Sequence, residues 1–109
     1  MNFHNKIFVC TTGGNCGDIR NETAFYFKQY GKIVRATYNG GNILYGELIG
    51  LVNDEDIQHV TFNHVTNNLQ LTGGRCTFTP ETPIDASLTL HGAWLTADAV
   101  EDRIVLEEL

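Results

Sequence analysis

The sequence predicts an all-β protein. The expected fold is an antiparallel up-and-down meander of about eight strands that closes into a small barrel, calycin-like in outline. A two-sheet β-sandwich is the alternative. Three observations predict it. Short runs rich in Val, Ile, Thr, Phe and Tyr follow one another with apolar residues at alternate positions. Turn-forming clusters separate the runs at short, regular intervals. Glycines (Gly46, Gly50 and Gly74) interrupt the runs, as expected where a sheet coils or another backbone comes close.

The runs follow in order. FHNKIFVCTT (3–12) precedes a glycine-rich break, GGNCGD (13–18). TAFYFKQY (23–30) and KIVRATY (32–38) flank Gly31. Residues 21–30 leave two options open, because Asn21 could cap a short helix ended by Gly31. The alternating aromatics favour a strand. Asn39-Gly40 then reads as a tight hairpin turn, since a type I′ turn needs positive φ at both central positions. NILYGELIGLV (42–52) leads into the acidic turn NDED, and IQHVTFNHVT (57–66) into Asn67-Asn68. LQLTGGRCTFT (69–79), the proline-bearing break PETPID, ASLTLHGAWLT (86–96), ADAVED and RIVLEEL (103–109) complete the chain, with LEEL expected as an exposed strand end. An open meander leaves its first and last strands with exposed edges, which closure removes, so a barrel is preferred.

Loop counting sets a register. Taking NDED as a four-residue loop places Val52 opposite Ile57, Glu47 opposite Phe62 and Tyr45 opposite His64. Taking Asn67-Asn68 as a two-residue turn places His64 opposite Leu71, Val60 opposite Arg75 and His59 opposite Cys76. The face holding Ile43, Ile49, Leu51, Val60, Phe62 and Leu71 is the bulkier, so it is assigned to the interior. Tyr45, Glu47, His64 and Arg75 then point inward together, with Trp94 within reach. Buried charges need partners. Glu47 and Arg75 therefore form either a structural ion pair or a cluster that orients a ligand in an apolar pocket.

Composition bounds the function. A chain of 109 residues predicts one domain, 1–109, with a single core. The net charge is −6 and the seven Lys and Arg are scattered, so neither nucleic acid nor an anionic membrane surface is an expected partner. No apolar run approaches the ~20 residues of a spanning helix. The polar N-terminal stretch is unlike a signal peptide. With an odd cysteine count, free thiols and a cytoplasmic location are expected. No metal and no cofactor are expected: Cys10 and Cys16 stand farther apart than the usual zinc-ligand pair, without a second pair. TTGGNCG lacks the Lys-Ser/Thr ending of a phosphate-binding loop. His59 and His64, five apart on a strand, face opposite ways.

Several phrases, ATYNGGNILYGELIGLV (36–52), LTGGRCTFTPE (71–81), LHGAW (90–94) and LEEL (106–109), resemble a family of small bacterial proteins of about this length, often labelled N-acetylglutamate synthase. Where the resemblance leads one to expect an acidic residue after the histidine of LHxxW, this chain has Gly92. Acetyl transfer of the usual kind needs an α/β fold with a pyrophosphate loop opening a helix, which the β pattern does not provide. The expectation is a non-enzymatic binding module for a small molecule at the barrel interior or mouth. A protein-interaction or assembly module with a filled core is the alternative, with homo-oligomers possible. A small enzyme using Glu47 or His64 as general base ranks last.

Overall fold

A computed structural model describes residues 2–12, 19, 22–81, 87–97 and 101–109. Eight strands form one closed antiparallel barrel in sequence order. They are β1 (Ile7–Thr12), β2 (Ala24–Tyr30), β3 (Ile33–Gly40), β4 (Ile43–Val52), β5 (Gln58–Thr66), β6 (Leu71–Glu81), β7 (Thr89–Thr96) and β8 (Glu101–Glu108). Closure comes from β1 pairing with β8, Phe8 opposite Glu108 and Cys10 opposite Leu106. A 2.7 Å ion pair from Lys6 Nζ to Glu108 Oε2 ties the seam. The barrel is therefore found and the sandwich is not. Residues 24–30 are strand: Phe25 and Phe27 face the core, and Tyr26 between them is exposed. LEEL is the end of the last strand, with Glu107 and Leu109 exposed, but Leu106 is fully buried.

Rings fill the interior. Phe25 stacks on Tyr38 at 4.7 Å, Phe8 meets Phe27 edge-on at 5.4 Å, and Phe62 stacks on Trp94 at 3.8 Å. Burying each such side chain contributes about 1.5–3 kcal/mol. Phe3, before β1, is fully buried against Phe27 at 6.3 Å, at the barrel end that carries both termini. The opposite, polar end carries the 41–42 and 66–70 connections.

Three turns differ from the sequence reading. The β3–β4 turn is Gly41–Asn42, two residues beyond Asn39-Gly40: Gly40 (φ +105°) pairs with Ile43, and Gly41 lies at φ +61°. Val52 pairs with Gln58 rather than Ile57, so five residues, 53–57, form the next loop. Asn53 organises it, its Oδ1 accepting the N–H groups of Glu55 and Ile57 at 2.9 and 3.0 Å. Val65 pairs with Leu71, leaving residues 66–70 between them, with Leu69 at φ +62°. Thr66 closes that loop, its N–H reaching Gln70 O at 2.9 Å.

Each of the last two loops departs from the expected count by an odd number of residues. Because side chains alternate, an odd miscount turns a neighbouring strand over. In β5 the assignment holds: Val60, Phe62 and His64 are buried. In β4 Leu48 and Val52 are buried while Tyr45, Ile49 and Leu51 are exposed. In β6 Cys76 and Phe78 are buried and Leu71 is exposed. A bulge between Ile43 and Tyr45 returns Ile43 to the interior.

Candidate binding site at the polar end of the barrel

The site starts with a glycine. Tyr38 (β3), Gly46 (β4) and His64 (β5) lie in one row across three strands. A Cβ on Gly46 would stand 2.8 Å from Tyr38 Cδ2 and closer still to Cε2 and Cζ of that ring. Gly46 thus lets the phenol lie flat across β4 and reach the strand beyond. There Tyr38 Oη and His64 Nδ1 share a 2.9 Å hydrogen bond. Both residues are buried, and when the phenol donates, His64 carries its proton on Nε2.

Trp94 (β7) joins them. It stacks on Phe62, lies 6.3 Å from His64 with rings 23° apart, and meets Tyr38 nearly edge-on at 6.2 Å. Opposite Trp94 on β8 stands Asp102, on the face shared with buried Ile104 and Leu106. Asp102 Oδ1 accepts the N–H of Arg103 at 2.9 Å. Its Oδ2 is buried, and no described residue donates to it. A carboxylate oxygen normally accepts more than one hydrogen bond. An aromatic wall next to an unsatisfied buried acceptor is what a small molecule with an apolar ring and an N–H or O–H donor requires.

Of the five residues expected at the site, His64 and Trp94 are together inside. Tyr45, Glu47 and Arg75 are on the outer face, because β4 and β6 are turned over. Glu47 pairs across to Asn63 and Arg75 to Thr61, so the two do not meet. Tyr45 Oη instead donates to Glu47 Oε1 at 2.7 Å, and that bond to a carboxylate raises the phenol pKa. His59 faces outward opposite Thr77, not Cys76. Cys76 is buried, and burial pushes its thiol well up, which leaves it neutral and unsuited as a nucleophile. Among the described residues no group of three His, Cys, Asp or Glu could hold a metal. Cys16 and the TTGGNCG loop beyond Thr12 lie outside the described residues.

Asp102 was missed by the sequence reading. The signal was present: counting back from Ile104 and Leu106 puts Asp102 on their face. The glycine of LHGAW is also explained. Gly92 is buried, and a Cβ there would stand 2.8 Å from Phe78 Cε1 and 2.9 Å from Ile104 Cγ1, so an acidic side chain has no room.

These features define a class, the calycin-type antiparallel barrel with a polar cluster at one end of an aromatic interior. Within that class the chain belongs to the avidin-like family, described as "Avidin-like protein", whose family model matches residues 1–109. No curated protein and no solved structure matches the chain. The synthase label attached to the resembling bacterial proteins gains no support from these comparisons.

Proposed function

We propose that this barrel is a non-enzymatic binding module, cytoplasmic in location, that holds a small organic molecule at its polar end. The observation that carries the reading is the buried, unsatisfied Oδ2 of Asp102 beside Trp94. The ligand supplies the missing donor, an N–H or O–H, and packs a flat apolar part against the indole. His64 and Tyr38, already bonded to each other, set the far wall. Biotin is the first probe, because small molecules of that kind are what avidin-like barrels hold; the cyclic urea 2-imidazolidinone is the second. At about 100 times Kd a ligand stabilises the fold by about 2.7 kcal/mol, a rise in Tm of roughly 10 °C. Asp102→Ala is expected to weaken binding tenfold or more, and Glu47→Gln on the outer face to leave it unchanged. Binding that survives Asp102→Ala intact, measured by calorimetry, removes the central residue of the proposal.

A second reading concerns the outer face. Ile33 and Leu51 pair across β3 and β4, Ile49 lies two residues along, and all three are about half exposed. Arg35 pairs with Ile49, and Glu47 shares that outer face, so the patch carries both charge signs and can face a second copy of itself. Light scattering is expected to give a mass above that of one chain, with Ile49→Glu returning it to the monomer. A monomeric parent protein defeats this reading.

A further inference from the structure

Gln58 opens β5 at the barrel end remote from Asp102. Its side chain belongs to the inner face with Val60 and Phe62, and its cross-strand partners are Val52 and Phe78, both buried. The residue is fully buried, and neither Nε2 nor Oε1 has a hydrogen-bond partner among the described residues. A primary amide offers two donor hydrogens and two acceptor lone pairs. Leaving both ends unmet in an apolar wall is costly, and native interiors almost always meet them. The hydrocarbon of Val52, Val60 and Phe78 cannot, and bulk solvent does not reach the group.

We propose that this end of the barrel is a hydrated internal site, in which Gln58 holds at least one trapped water molecule. The chemistry selects water. The guest must donate to Oε1 and accept from Nε2 at once, and water is the smallest molecule that does both. A domain of this length carries roughly four such waters, each making about three hydrogen bonds. The amide supplies two of those bonds, one as donor and one as acceptor. This site is independent of the ligand at the polar end, since neither Asp102 nor Trp94 belongs to it.

The test uses the intact protein without added ligand. Nuclear Overhauser spectroscopy at the water frequency is expected to show a long-lived water contacting the Gln58 side-chain amide protons and the Val52 methyls. In Gln58→Met, which keeps the volume and loses the amide, the contact to Val52 is expected to disappear. Absence of the contact in the parent protein overturns the proposal. Persistence of the Val52 contact in Gln58→Met also overturns it, because the water would then be held by something else.

Discussion

Trp94→Ala is expected to destabilise the protein by about 3–5 kcal/mol, the largest effect of any single truncation in this barrel. The indole is 1% exposed and is the largest fully buried side chain. Three rings depend on it: Phe62 stacked at 3.8 Å, Tyr38 edge-on at 6.2 Å and His64 nearly parallel at 6.3 Å. Closed strands cannot slide inward to refill the hole, so most of the lost volume remains as cavity. Trp94→Phe keeps the stacking partner of Phe62 and is expected to cost less than half as much. Equilibrium unfolding in urea, followed by far-ultraviolet circular dichroism, measures both. Fluorescence cannot be used, because this is the only tryptophan in the chain. A loss below about 1 kcal/mol in Trp94→Ala would mean that the indole is not packed as described. The same variant is expected to abolish ligand binding, since the apolar wall facing Asp102 is gone.

Gly50→Ala is expected to cost about 3 kcal/mol, at the upper end for overpacking. A Cβ at this position would lie 2.5 Å from Val60 Cα and closer still to the carbonyl oxygen of His59. The obstacle is the backbone of the neighbouring strand. A side chain could swing aside, but β5 cannot retreat without opening its own ladder to β6. Gly31→Ala is the control. Gly31 sits in a turn at φ +62° with nothing within 4 Å of an added Cβ, so only the left-handed conformation is penalised, by about 1 kcal/mol. Thermal unfolding of the two variants side by side decides the matter. Equal losses would mean that β4 and β5 have slack at Gly50.

These glycines show how far the sequence could be read. Gly50 and Gly74 were expected where backbones approach, and both do so: an added Cβ on Gly74 would meet Thr96 Cα at 2.8 Å. Gly46 has a side chain as its close neighbour instead of a backbone. It makes room for the ring of Tyr38, a contact across strands that no local pattern encodes.

Strand number, antiparallel order and closure were legible in the sequence, because alternation and turn residues act over a few neighbouring positions. For the same reason it placed His59 and His64 on opposite faces and gave β5 its inward side. Tertiary structure alone decided the rest. Asn53 draws Ile57 into the loop, and Thr66 with a left-handed Leu69 lengthens the next one. Each loop turns a strand over, which carries Tyr45, Glu47 and Arg75 to the outer face. Tertiary structure also set Asp102 beside Trp94 and Tyr38 against His64. A strand's period is two, so one residue in a loop is worth a whole face, and loop length is set by hydrogen bonds that form only when the strands meet.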